Sequence, residues 1–166
     1  MTNAASEIKS LWSIIGVGDD SLLELRAIWP SGIPNVKPPK VEHFYVPDYH
    51  SQAECKAAFE ASALQLNGDG YNIYVVMNPI RPTLGIDSAK DADILYRDVM
   101  LVDIDRTGEK KQPAKQAELD AAKMLAIKIR DHMRARGWPE PIAVMSGNGY
   151  HLYYILEGLK NDEEST

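Results

Sequence analysis

Apolar residues recur at helical spacing near the start of the chain. Ile8, Leu11, Trp12 and Ile15 fall on one side of residues 4–15, which predicts a short amphipathic helix broken by Gly16 and Gly18. Leu22 to Trp29 reads as a strand, although its Leu and Glu content also suits a helix, and Val41 to Val46 reads as a second strand paired with it. Between them Pro30 to Lys40 carries four prolines and a glycine, the composition of a loop. Ser51-Gln52-Ala53-Glu54 has capping-box spacing, with Ser51 as N-cap and Glu54 reaching back. It opens a predicted helix to about Leu66 with Ala53, Ala57, Ala61 and Leu64 on one face, stopped by Asn67-Gly68-Asp69-Gly70. Tyr71 to Met77 is a β-branched strand halted by Asn78-Pro79, and an Asp-rich polar loop follows.

The second half is organised around Val99-Met100-Leu101-Val102-Asp103-Ile104-Asp105, an apolar run expected to be a buried, central strand ending in two acids. A charged loop, Arg106 to Gln112, leads to Pro113, which suits the first turn of a helix running to about Arg136. Leu119, Ala122, Leu125, Ala126, Ile129 and Met133 form its predicted stripe, and Gly137 occupies the C′ position. After Trp138-Pro139-Glu140-Pro141, the strands Ile142 to Met145 and Tyr150 to Leu156 flank Ser146-Gly147-Asn148-Gly149. The Asn148-Gly149 pair predicts a type I′ hairpin turn, which needs positive φ at both central residues. The acidic end, Asn161 to Thr166, reads as frayed. With no repeat or linker, the 166 residues are expected to form a single α+β domain, a mixed or antiparallel sheet with packed helices. An N-terminal α/β lobe spans about 17–97 and a motif-bearing half about 98–160.

Composition narrows the class. One cysteine, Cys55, excludes an intramolecular disulfide and cysteine-rich zinc motifs, and so points to a reducing, cytoplasmic location. No apolar run approaches the ~20 residues needed to span a bilayer. The net charge of −6 argues against a surface that is wholly a nucleic-acid footprint. The charge is uneven, however: residues 106–136 hold nine Lys or Arg against four Asp or Glu, so this segment is +5 and the remainder −11. A basic segment beside an acidic site is compatible with phosphate backbones, and also with a solvated helix face.

Two patterns carry chemistry. Asp103 and Asp105 alternate on one strand and so share a face, roughly 6.6 Å apart along the chain. Two like charges there repel, and a hard divalent cation, Mg²⁺ or Mn²⁺, relieves the conflict; the plainer reading is a strand ending in solvated acids. In Ser146-Gly147-Asn148-Gly149-Tyr150-His151, the glycines let backbone amides approach an anion, Ser146 adds a donor, and His151 binds phosphate or transfers a proton. His43, His50 and His132 read as structural or solvated. Tyr153 and Tyr154 have the chemistry to stack a base, though packing is the plainer role.

Together these residues resemble a known family. Val102-Asp103-Ile104-Asp105 resembles the first motif of archaeo-eukaryotic primases, and Ser146-Gly147-Asn148-Gly149-Tyr150-His151-Leu152 their second, which ends in a histidine on a strand. Glu118 to Arg136 with Gly137 to Pro141, and the upstream Tyr74 to Pro79, are similar to the prim-pol branch of phage and plasmid primase-helicases. The resemblance covers about residues 20–160. It implies the RNA-recognition-like catalytic half of a prim-pol fold. The implied activity is a metal-dependent nucleotidyltransferase that extends primers from nucleoside triphosphates on a single-stranded DNA template, alongside a helicase, appended or separate. By that analogy Asp103 and Asp105 hold two divalent ions, one activating the primer hydroxyl and one neutralising pyrophosphate. His151, Ser146 and the amides of Gly147, Asn148 and Gly149 grip the triphosphate, with Arg97 and Arg106 as further phosphate ligands. The family's third carboxylate lies on a later strand, and Glu157, Asp162, Glu163 and Glu164 do not match it. The chain is therefore expected to be the N-terminal part of a longer catalytic domain. The alternative is a noncatalytic nucleotide- or nucleic-acid-binding module retaining the fold.

Overall fold

A computed structural model describes residues 4–15, 18, 20–85, 87–107 and 114–160. Gly16, Pro113, Glu109 to Gln112 and the acidic end at 161–166 lie outside the described residues. By packing, the chain divides into two compact units, Met1–Asp98 with Gly158–Thr166, and Val99–Glu157. It is an α+β protein with two three-stranded antiparallel sheets and three α-helices among the described residues. No helix of the described residues is long and apolar enough to cross a membrane.

In the first unit, α1 (Ala4–Ile15) buries Ile8, Trp12 and Ile15, the side its spacing predicts. Strand β1 (Leu22–Ile28) lies between β2 (Lys40–Tyr45) and β3 (Asn72–Val75), antiparallel to both. Alternation along β1 sends Leu23, Leu25 and Ala27 into one core, while Leu22 joins Ile80 and Ile94 in a second cluster. Both faces of β1 are therefore covered, which is why its sequence is apolar almost throughout and reads ambiguously.

Helix α2 (Gln52–Gly68) starts at Ser51, whose hydroxyl accepts from the Glu54 amide at 3.2 Å. Glu54 reaches back one residue further than a capping box requires, to the amide of His50 at 2.8 Å. The buried face is Cys55, Phe59, Ala63 and Leu66, and the predicted face of Ala53, Ala57, Ala61 and Leu64 is exposed. Bulk decides the phase: Phe59 fills the core between Trp12 and Phe44, each with ring centroids 5.5 Å away, and an alanine stripe buries too little area to compete.

In the second sheet, β6 (Gly149–Lys160) lies between β4 (Tyr96–Asp105) and β5 (Ile142–Met145). Strand β4 is thus an edge strand and not the central one, and of its residues only Val99 and Ile104 are buried. A single helix, α3 (Gln116–Arg134), packs Ala122 and Ala126 against Ile104, Leu152 and Tyr154, with Met100, Val102, Ile129 and Met133 around them. Leu125 from the predicted stripe is exposed, because the narrow contact is made by the two alanines. The helix ends in a Schellman pattern: the Trp138 amide donates to the Met133 carbonyl at 3.2 Å and the Gly137 amide to Arg134 at 3.0 Å, with Gly137 at φ 83°. Trp138 then packs edge-on against Tyr154, centroids 5.7 Å apart.

Candidate active site

The candidate site lies on the sheet face of the second unit that α3 leaves uncovered. Along β4, Ile104 points to the helix while Asp103 and Asp105 are exposed on the opposite face, the alternation expected of a strand. Along β6, Leu152 and Tyr154 are buried against the helix, and His151 and Tyr153 fall on the other face. Strand β5 adds Val144 opposite His151 and Ile142 opposite Tyr153, both exposed.

The structure brings Asp103 and His151 together: the ring Nε2 lies 3.2 Å from Asp103 Oδ1. The Nδ1 atom lies 3.2 Å from the Tyr153 hydroxyl, and the two rings meet edge-on at 5.9 Å. An ionised carboxylate has no hydrogen to give, so a proton held between these two atoms is carried by Nε2. Tyr153 then either donates to Nδ1 of a neutral ring or accepts from an imidazolium, and so supports both forms. Burial, and next the charge of Asp103, push the Tyr153 phenol above its ordinary value. The i, i+2 spacing of two ring side chains on one strand face is the signal that joins Tyr153 to this cluster.

The glycine turn is held against the end of β4. The Arg106 amide donates to the Asn148 carbonyl at 3.2 Å. A Cβ on Gly149 would collide with the carbonyl oxygen of Ile104, so glycine is required there by the approach of the neighbouring strand. Positive φ occurs at Gly147 (89°), and neither Asn148 nor Gly149 has it. The turn is therefore centred on Gly147-Asn148, with Ser146 N–H donating to Gly149 O at 3.0 Å, in place of the type I′ turn on Asn148-Gly149. The close approach of β4 fixes Gly149 in extended strand geometry, which moves the turn one residue earlier. Ser146, Gly147 and Asn148 are exposed at the tip.

The two arginines do not join this cluster as free cations. The Arg106 guanidinium is 7% exposed and pairs with Glu118 at 3.2 Å. Glu118 also accepts from the Lys115 amide at 2.8 Å, and that amide first, then Arg106, hold its carboxyl below the ordinary range. Arg106 thereby fastens the end of β4 to the first turn of α3. Arg97 belongs to the first unit, where it pairs with Asp91 at 3.3 Å. Two further arginines of residues 106–136 are likewise paired locally: Asp131 takes Arg130 and Arg134, and Arg134 also bonds Glu140. Lys123 and Lys128 are exposed. Of the other histidines, His50 and His132 are exposed and His43 is built into the first unit.

Asp103 and Asp105 offer hard oxygens of the kind Mg²⁺ or Mn²⁺ takes, and Asp105 has no hydrogen-bond or ion-pair partner among the described residues. Among those residues no three His, Cys, Asp or Glu side chains form a group able to hold a metal ion. The donor set therefore fits an open site, with one or two carboxylates from the protein and the remaining positions left to water and phosphate oxygens. The chain matches no protein-family model, no curated protein and no solved structure.

Proposed function

We propose that the second unit is the motif-bearing, RNA-recognition-like half of a primase-polymerase catalytic domain. On this reading the chain takes part in metal-dependent nucleotidyl transfer from a nucleoside triphosphate to a primer on single-stranded DNA. The observation that carries the reading is the meeting of Asp103 with His151, 48 positions away, on one open sheet face, with Asp105 on the same face and the Ser146–Gly149 turn packed at the strand end. A bound Mg²⁺ or Mn²⁺ would supply charge neutralisation for the triphosphate and activation of the primer hydroxyl. Asp103 and Asp105 would hold that ion. His151 presents an N–H at the carboxylate edge, where it can turn to a phosphate oxygen, and Tyr153 keeps the ring upright as it does so. The exposed Ser146 hydroxyl and the turn amides supply further anion donors.

Asp103→Ala and Asp105→Ala are each expected to abolish Mn²⁺-dependent nucleoside triphosphate binding by calorimetry, and primer synthesis, while circular dichroism stays unchanged. Undiminished synthesis overturns the reading. A second reading, a nucleotide-binding module without turnover, draws on Asp103 and Asp105 as the carboxylates that share this face among the described residues. It predicts metal-dependent triphosphate binding with no primer formed.

A further inference from the structure

The open face of the second unit divides by chemistry across its width. Strand β4 presents the carboxylates of Asp103 and Asp105 along one edge, and β6 presents His151 and Tyr153 beside them. The other edge is aliphatic. Register sets Val144 of β5 directly across from His151 and Ile142 directly across from Tyr153, so all four side chains share this face. Ile155 follows Tyr153 on the same face by alternation. Ile142, Val144 and Ile155 are 40%, 37% and 44% exposed, so an aliphatic floor runs uncovered up to the ionic cluster. The proposed function uses the ionic half of this face and leaves the aliphatic half without a role.

Width, charge and area decide what such a floor takes. Neighbouring strands lie about 4.8 Å apart, so β5 stands roughly 10 Å from β4 across the sheet, a span that one nucleotide covers from its phosphates to its base. A protein surface laid over Ile142 and Val144 would also strip water from His151 and the two acids beside them. Three aliphatic side chains do not offset that cost. They are also far fewer than the roughly 20–30 residues a side of a stable protein interface. A metal-bound triphosphate instead brings its own divalent ion to the acids and a flat, largely apolar ring to the floor. Isoleucine and valine side chains have neither donor nor acceptor, so their contact with a ring depends on area and not on hydrogen bonds.

We propose that Val144 and Ile142, with Ile155 beyond them, are the floor on which the base of a nucleoside triphosphate lies while its phosphates sit at Asp103 and His151. This assignment rests on the reading of the ionic cluster as a triphosphate site, and it adds the residues that hold the base. Because area governs the contact, affinity should follow ring size: a purine above a pyrimidine, and both above a triphosphate with no base. Base identity within one ring class should matter little. Ala143 and Met145 alternate to the opposite face of β5 and take no part.

The test is calorimetry on the whole chain in excess Mn²⁺ with ATP, CTP and methyl triphosphate, which has the same charge and neither base nor sugar. ATP is expected to bind about tenfold or more tighter than methyl triphosphate, the scale of one buried base, with CTP between them. The double substitution Ile142→Thr and Val144→Thr keeps β-branched residues on the strand and makes the floor polar. It should bring ATP to within about threefold of methyl triphosphate and leave methyl triphosphate unchanged. Met145→Thr, on the other face, should change neither. If ATP binds no tighter than CTP, or no tighter than methyl triphosphate, the base floor is overturned while the triphosphate site stands. If none of the three binds, both fall. Equal losses for ATP and methyl triphosphate in a folded double variant overturn the floor as well. So does sedimentation showing paired chains that the double variant separates, because the face then belongs to a second copy. If the double variant does not fold, the ligand order in the unaltered chain decides alone.

Discussion

His151 stands between an acid and a phenol, and each neighbour has a separable effect. If His151 supplies an N–H to a phosphate, His151→Ala should weaken nucleoside triphosphate binding about tenfold or more, the scale of one charge-assisted hydrogen bond, and leave Mn²⁺ affinity nearly unchanged. Paired titrations with Mn²⁺ alone and with Mn²⁺ plus nucleotide separate these effects. Equal losses in both would move His151 from the phosphate to the metal. Tyr153→Phe keeps the ring packing and removes only the hydroxyl that meets Nδ1, so nucleotide affinity should fall less than in His151→Ala. The alternation of acidic and apolar positions made the shared face of Asp103 and Asp105 readable from the chain. The pairing of His151 with Asp103 was readable only by analogy, since it depends on which strand lies beside which, a non-local choice.

At the scale of elements, α2 shows what periodicity leaves open. Alanines at 53, 57 and 61 and bulky residues at 55, 59 and 66 define two helical stripes of similar regularity, and the neighbours choose between them. Phe59 meets Trp12 and Phe44, elements distant in sequence. Phe59→Ala is therefore expected to cost about 3–5 kcal/mol in urea melts, whereas Ala57→Ser on the exposed side should change stability by less than about 0.5 kcal/mol. Strand β4 carries the same lesson. An apolar run announces a strand, but being central or at an edge is a property of the sheet. By contrast the Gly137 terminus was legible, because its cause is local: a residue at φ 83° ends the helix with two closing bonds. Gly137→Ala should cost about 1 kcal/mol, measured on the same melts.

Across the whole chain, the pH dependence of stability should have a distinct acid limb. Glu24 is held below its ordinary value by partners present only in the folded state, despite burial that acts the other way. A lowered carboxyl contributes stability above its unfolded-state value and loses that contribution as pH falls through the folded-state value. Melting temperature should therefore drop from about pH 5 downward. Glu24→Gln should flatten that drop and cost about 3–5 kcal/mol at neutral pH, because Arg26 loses its counter-charge and His43 its carboxylate partner. Glu118 and Glu140 are lowered as well, but both are solvent-facing and their share should be small and salt-sensitive. A glutamate inside the run Leu22 to Ile28 is visible in the sequence as an oddity. Its partners are not, since they arrive from the opposite strand and from a stretch some 60 residues downstream.

Gly149 illustrates how an architectural demand can pass for a chemical one. It sits in a turn whose composition advertises anion binding, yet what excludes a side chain there is the carbonyl of Ile104 on the adjoining strand. Any larger residue must push β4 aside, carrying Asp103 and Asp105 with it. A mutational scan scored by activity alone would rank position 149 among the ligand contacts. Scored by folding, the same scan would reveal it as the spacer that sets how far the acids stand from the histidine.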